Sequence, residues 1–185
     1  MRRALFVSGL IFLLAGGAVS QIGAGPRGVQ FVAALEGDQE VPARQTEASG
    51  NVIFRLSDDQ STLTYRLIVD NIENVVASHI HLGVFGVNGP VVVFLAGPFP
   101  AGGGPVEGIL AEGTITSANL VGPLAGMSLS VLVTAMREGG TYVNVHTNDG
   151  IAPTDTGAGD FPGGEIRGQL RPLRGPKGAA IEPIP

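Results

Sequence analysis

From Val29 onward, apolar residues occur in short runs that are separated by Gly, Pro, Asn and Asp. These separators favour turns and interrupt strands, so the pattern is typical of antiparallel β-strands joined by short connections. We predict eight strands, near residues 29–35, 50–56, 62–69, 77–82, 91–95, 108–115, 141–146 and 165–170. Residues 58–61 are predicted to form the hairpin turn between the second and third strands.

One segment departs from the strand pattern. Its apolar residues recur at the spacing of one helix face: Leu129, Leu132, Val133 and Met136. Ser128 is placed to cap the start of this helix, and Gly139 and Gly140 to end it. We therefore predict one short amphipathic helix that crosses between two strands and covers an end of the β-structure. We also predict a second, shorter helical turn near residues 117–120.

At 185 residues the chain is long enough for one core and too short for two ordinary domains. We predict a single domain over residues 28–172. The number of short strands and the single crossover helix predict an all-β fold, a Greek-key antiparallel β-sandwich. Residues 173–185 are rich in Pro, Gly and isolated charges, and we predict that they form a disordered tail.

The first twenty residues have the features of an export signal. Arg2 and Arg3 precede an unbroken apolar run, and small residues at 18–20 provide a cleavage site. We predict a signal peptide over residues 1–20 and a linker over 21–27. The protein is therefore expected to be secreted or to reside in the periplasm or cell envelope, and no transmembrane span is expected.

Charge and cysteine content argue against nucleic acid as a partner and exclude sites built from cysteine. The formal net charge is −5, and loss of Arg2 and Arg3 with the signal would make it two units more negative. Such an acidic protein is not expected to bind nucleic acid. Because the chain has no cysteine, it can form neither a disulfide nor a thiolate metal site.

All three histidines of the chain fall in predicted strands. His79 and His81 are two residues apart, so they share a strand face and are roughly 6 to 7 Å apart along it. His146 lies on a later strand with Tyr142 and Asn144 on the same face, opposite the core-facing valines. The rings of His79, His81 and His146 can therefore converge on one metal ion.

The competing interpretation is that these histidines are solvent-facing strand residues without a ligand. If a metal does bind, three imidazoles without thiolate favour zinc or copper, with nickel or iron as further options. Calcium and magnesium prefer oxygen ligands. A site with three protein ligands leaves a coordination position for water or substrate. Spacing alone does not choose between zinc-assisted hydrolysis and copper redox chemistry.

Arg167 follows a long polar loop over residues 148–164. One interpretation is an exposed arginine paired with a carboxylate. The functional interpretation is a cationic gate, a catalytic Arg167 that draws a small anion to the open metal position. Glu165 is expected to be solvated. The loop acids Asp149, Asp155 and Asp160 match no calcium motif, although one of them could orient a histidine ring.

Four segments resemble the CHRD domain, which is named for its repeats in chordin and is widespread in secreted bacterial proteins. They are residues 35–42 (LEGDQEVP), 79–92 with HIHLG and GVNGPVV, 142–147 (YVNVHT) and 163–170 (GGEIRGQL). The resemblance covers residues 28–172. Through its use in chordin, it implies a non-enzymatic adhesion or ligand-binding module of the cell envelope or matrix that has no metal dependence.

The order of these residues is also similar, more distantly, to copper/zinc superoxide dismutase sandwiches. There an H-x-H strand, a later histidine and a late arginine supply copper ligands and an anion guide. This similarity maps onto His79, His81, His146 and Arg167 and implies an immunoglobulin/superoxide dismutase-like sandwich. The chain lacks a bridging histidine and a zinc-ligand cluster, so only a mononuclear copper version is consistent with it. We expect copper, with zinc as the alternative, and a small anion such as superoxide as partner.

Overall fold

A computed structural model describes residues 28–173. The predicted signal peptide, the linker and the tail beyond Leu173 lie outside the described residues. The strands are β1 (Gln30–Glu36), β2 (Ser49–Leu56), β3 (Leu63–Glu73), β4 (Val75–Leu82), β5 (Val91–Ala96), β6 (Pro105–Ile115), β7 (Thr141–Thr147), β8 (Ile166–Gln169) and β9 (Arg171–Pro172). The helix α1 spans Leu129–Arg137, and single 3-10 turns occupy Gly37–Gln39, Ser117–Asn119 and Gly122–Leu124.

Every strand pairing is antiparallel, and the strands follow the order β5-β4-β7-β8-β1-β2-β3-β6, with β9 beside β1. The sheet curls into a nearly closed barrel or sandwich, because the end strands β5 and β6 are in contact. The Tyr65 hydroxyl helps to close this seam by donating to the Leu95 carbonyl at 2.7 Å. After β6 and α1 the chain returns to place β7 beside β4, a Greek-key connection. The prediction of an all-β fold with one crossover helix is confirmed.

The core follows from the alternation of side chains along each strand. On β2, Val52, Phe54 and Leu56 are buried, while the residues between them face outward. The other strands contribute in the same way, and Leu35, Leu67 and Ile80 are fully buried. One apolar interior therefore lies inside the curled sheet, and α1 covers it with the four apolar residues that its spacing predicted.

Two local expectations differ from the structure. Ser128 occupies the position before α1, but its hydroxyl contacts Ser130 Oγ at 2.7 Å instead of capping the helix backbone. The last predicted strand, residues 165–170, corresponds to β8, which pairs with both β7 and β1, and it is followed by an unpredicted short strand, β9, that pairs with β1. Within residues 28–173, no helix is both long enough and apolar enough to span a membrane.

Two neighbouring residues of β2 that lie on opposite faces, Phe54 and Ile53, should contribute very differently to the free energy of unfolding. Phe54→Ala should lower the free energy of unfolding by about 3–5 kcal/mol, because it leaves a cavity in a packed interior. Ile53→Ala is the matched control, since Ile53 is 39% exposed, and should cost less than about 1 kcal/mol. Urea denaturation of both variants measures the difference, and equal losses would contradict this assignment of strand faces.

Candidate metal centre

The register of three adjacent strands brings the predicted site residues to one face. His79 on β4 lies opposite Asn144 on β7, and Asn144 lies opposite Arg167 on β8. Residues opposite one another in an antiparallel pair share a face of the sheet. This outer face therefore carries the histidines, while Ile80 and Val143 face the core.

The three histidine rings meet on this face. The ring centroid of His79 is 4.8 Å from that of His146 and 5.7 Å from that of His81, and His81 and His146 are 6.2 Å apart. One ligand atom from each residue can be chosen so that all lie within 4.8 Å of one another. The structure thus gathers His79, His81 and His146 into a cluster that could bind a metal ion.

Backbone carbonyls orient two of the rings. His81 Nδ1 lies 2.8 Å from the Gly89 carbonyl, and His146 Nδ1 lies 2.9 Å from the Pro162 carbonyl. Because a carbonyl only accepts hydrogen bonds, each neutral ring carries its proton on Nδ1 and keeps a lone pair on Nε2. Metal-bound histidines are commonly oriented in this way.

The remaining nitrogens suit a cation. His81 Nε2 is buried without a hydrogen-bond partner, and a buried unpaired polar atom is costly unless something binds to it. His79 Nδ1 lies 3.0 Å from His146 Nε2. Two nitrogens bound to one zinc-sized ion at about 2.0–2.1 Å are separated by about 2.9–3.4 Å. The donor set therefore fits a metal that prefers imidazole.

Burial keeps the rings neutral. It is the main reason that the pKa of His79 is lowered to about 4, and the nearby His146 and His81 lower it further. Burial also lowers the pKa of His81 and of His146, although the carbonyls that accept their protons oppose the shift. At neutral pH the cluster therefore offers three neutral imidazoles, the protonation state that metals bind.

Most of this face is covered, which the strand alternation did not predict. Tyr142 and Asn144 are each only 2% exposed. The β4–β5 segment, residues 83–90, and the long loop over residues 148–164 lie against the face through the contacts of Gly89 and Pro162. His79 and His146 are only partly buried, and the exposed ring of Phe94 on β5 contacts His79 edge-on at 4.9 Å.

Arg167 lies on the same face but is only 1% exposed. Its guanidinium donates to Asn88 Oδ1 at 3.0 Å and to the backbone carbonyls of Val87 and Val84 at 3.0 and 3.3 Å. Among residues 28–173, no carboxylate forms a salt bridge with it. The interpretation as an exposed arginine paired with a carboxylate therefore does not describe it.

Tyr142 connects Arg167 to the histidines. The guanidinium carbon lies 3.4 Å from the centroid of the Tyr142 ring, in a cation–π contact. The His81 ring also stacks on Tyr142, with centroids 4.8 Å apart and an interplanar angle of 11°. Tyr142 therefore contacts both the guanidinium of Arg167 and the imidazole of His81.

Acidic residues near the site form hydrogen bonds and ion pairs and are not simply solvated. Asp155 pairs with Arg44 at 2.9 Å, and Asp160 accepts hydrogen bonds from Thr156. The ring of His146 is oriented by the Pro162 carbonyl and not by a loop carboxylate. Glu165 is 1% exposed, so the expectation that it is solvated is wrong. Its carboxylate accepts from the hydroxyls of Thr46 and Thr147 and from the Gly159 amide.

The sequence did not indicate three groups that contribute to the site. The carbonyls of Gly89 and Pro162 have no sequence signal, because any residue supplies a carbonyl. Glu40 is 6% exposed, lies near Asn144, and has a pKa raised by burial but held down by Arg167. Its position inside the segment LEGDQEVP was the available signal.

The histidine pKa shifts predict a pH dependence of stability. An unfolded histidine has a pKa of about 6.5, whereas the native pKa of His79 is about 4. As pH falls through this interval the unfolded chain binds more protons, so the free energy of unfolding of the metal-free protein should fall. Urea denaturation between pH 7 and pH 4 measures this loss.

His79→Gln is the comparison protein, because it lacks one of the three histidines whose pKa is lowered and should show a flatter, though not level, pH profile. Glu40 contributes with the opposite sign, since its native pKa is raised, but it contributes equally to both proteins. Parallel profiles for the two proteins would contradict the prediction.

With this geometry established, comparison with known proteins identifies the domain. No curated protein matches the chain. A family model described as the CHRD domain matches residues 31–170, a range that runs from the second residue of β1 to just beyond β8 and contains all three histidines. The resemblance carried by the four sequence segments is thereby confirmed, and the chain belongs to the CHRD domain family.

Proposed function

We propose that this protein is an exported copper-binding CHRD protein with a mononuclear site formed by His79, His81 and His146. The observation that supports it is the convergence of three neutral imidazoles, two of them oriented by backbone carbonyls. The predicted signal peptide supports export. Three nitrogen ligands leave room for water or a small molecule on the ion.

Copper is favoured over zinc by two arguments. Divalent copper binds nitrogen sites more tightly than divalent zinc does. The order of the three histidines and Arg167 is also similar to that of copper-binding sandwiches. Bound copper would supply one-electron redox chemistry, and the proposal therefore extends to a superoxide dismutase-like activity. Zinc is the alternative ion.

Arg167 has a catalytic role in this proposal, as the charge that attracts a small anion such as superoxide. Its positive charge is not neutralised by a direct salt bridge with any residue of the described chain. Since its N–H groups are already bonded to Asn88, Val84 and Val87, the attraction would act through the electrostatic field and not by direct contact.

A different class of function is a metal-independent adhesion or ligand-binding module of the cell envelope. Exposed apolar side chains on the β4–β5 segment favour this alternative, since Val84 is 57%, Phe85 70% and Val87 51% exposed. Such a cluster is a common feature of surfaces that contact other molecules. This role requires no copper and predicts no effect of copper on stability.

The copper site predicts the loss of metal binding in one variant. His146→Ala removes one of three ligands, so copper should no longer co-purify or survive dialysis, while the far-UV circular dichroism stays unchanged. The unaltered protein should bind one copper per chain by elemental analysis. At a free copper concentration 100 times its Kd, binding should add about 2.7 kcal/mol to the free energy of unfolding.

Asp58→Ala is the matched control, because it removes an exposed potential ligand on the β2–β3 hairpin, outside the cluster. It should keep full copper content. Equal copper in the His146→Ala and unaltered proteins, or no rise in melting temperature with copper, would refute the site and leave the envelope module.

The proposed role of Arg167 predicts a dependence on ionic strength. Copper-loaded Arg167→Gln should consume superoxide more slowly and lose the decrease in rate that added salt causes, because the attracting charge is gone. Arg167→Lys should retain the salt dependence. Pulse radiolysis at several salt concentrations measures these rates. A salt dependence that persists in Arg167→Gln would contradict the role.

A further inference from the structure

The segment LEGDQEVP contains a buried glutamate that the proposed copper site does not use. Glu40 follows the 3-10 turn Gly37–Gln39 and is only 6% exposed. Its Oε1 atom is buried without a hydrogen-bond partner. A carboxylate in such surroundings is costly unless positive charge or hydrogen-bond donors lie near it. Its placement therefore calls for a physical explanation.

Asn144 lies next to this carboxyl group. Contact with the Asn144 side chain lowers the pKa of Glu40, against the larger effect of burial. Gly164 leaves the space in which the two groups meet. A Cβ atom there would overlap Glu40 Oε1 and lie 2.9 Å from Asn144 Nδ2, and the residue has a φ of +124°. A side chain at position 164 would therefore clash with Glu40 and crowd the Asn144 amide.

The same amide faces the histidine cluster. Asn144 lies opposite His79 in the sheet, and contact with its side chain raises the pKa of His81. Asn144 Oδ1 and His81 Nε2 are both buried without a well-formed hydrogen bond. The Asn144 side chain thus lies between the Glu40 carboxyl group and the nitrogen of His81 that is free to bind a metal.

A carboxylate at position 40 would offset positive charge at the proposed copper site. A copper ion among three neutral imidazoles would add positive charge near Arg167, which is buried on the same face and already positive. Repulsion between the two would weaken binding of the ion. A negative charge at Glu40 offsets this repulsion, and the effect is large where solvent screening is weak.

We propose that Glu40 is a positioning residue of the copper site, which orients Asn144 beside His81 and compensates the charge of the bound ion. This inference rests on the proposed function. Its distinguishing consequence is a dependence on ion charge, because the attraction of Glu40 for a divalent ion is twice that for a monovalent ion.

The test compares Cu(I) and Cu(II) affinities of Glu40→Gln with those of the unaltered protein, using competing chelators. Because the interaction is proportional to the charge of the ion, a loss of about ten-fold in Cu(I) affinity should be accompanied by a loss of about a hundred-fold in Cu(II) affinity. Glu47→Gln makes the same charge change at an exposed site and should alter neither affinity appreciably. Glu40→Asp keeps the charge and should largely preserve the ratio of the two affinities.

Equal loss of both affinities in Glu40→Gln would indicate only a structural disturbance and would overturn the inference. Unchanged affinities would overturn it as well. A measurement on the unaltered protein avoids any folding defect of the variants. Diamagnetic Cu(I) should shift the side-chain amide resonances of Asn144 in NMR spectra, and unshifted resonances would refute the link. Absence of copper binding by the unaltered protein would instead refute the proposed function, and this inference with it.

Discussion

Antiparallel pairing of β4, β7 and β8 is the constraint on which the site depends. It places His79, Asn144 and Arg167 side by side across three strands, although they are far apart in the chain. Side chains alternate between the two faces of a strand, so a shift of one residue in this register would turn the histidines into the apolar interior. The fully buried Ile80 and Val143 oppose such a shift. The apolar core thereby fixes the geometry of the polar site on its outer face.

The outer face is unusual because it is polar and yet mostly covered. Polar groups in such a location are stable only when they have partners. The structure supplies many of these from backbone, as when Arg167 donates to the carbonyls of Val84 and Val87. Glu165 is satisfied by two threonine hydroxyls and one amide. His81 Nε2, Asn144 Oδ1 and Glu40 Oε1 are among the buried side-chain atoms of the described chain that lack a hydrogen-bond partner.

The sequence was sufficient to predict the strands, because alternation within short apolar runs directly reflects burial on one side of a sheet. It also predicted which histidines share a face, since His79 and His81 are two residues apart and His146 has the same alternation on β7. The sequence indicates Arg167 as a candidate site residue, but it does not indicate that this side chain is buried. Alternation gives the direction of a side chain, whereas covering it requires the β4–β5 segment, whose position depends on tertiary contacts. For the same reason Glu40 and the carbonyls of Gly89 and Pro162 were missed.

The β4–β5 segment has one consequence beyond the positions of single atoms. Within a few residues it supplies the carbonyl that orients His81 and three acceptors that hold Arg167. A hydrogen bond also joins this segment to the residue that follows Glu40, because Asn88 Nδ2 donates to the Val41 carbonyl at 2.7 Å. The orientation of one imidazole and the placement of the guanidinium therefore depend on a single short connection, so a substitution within it would disturb both groups at once.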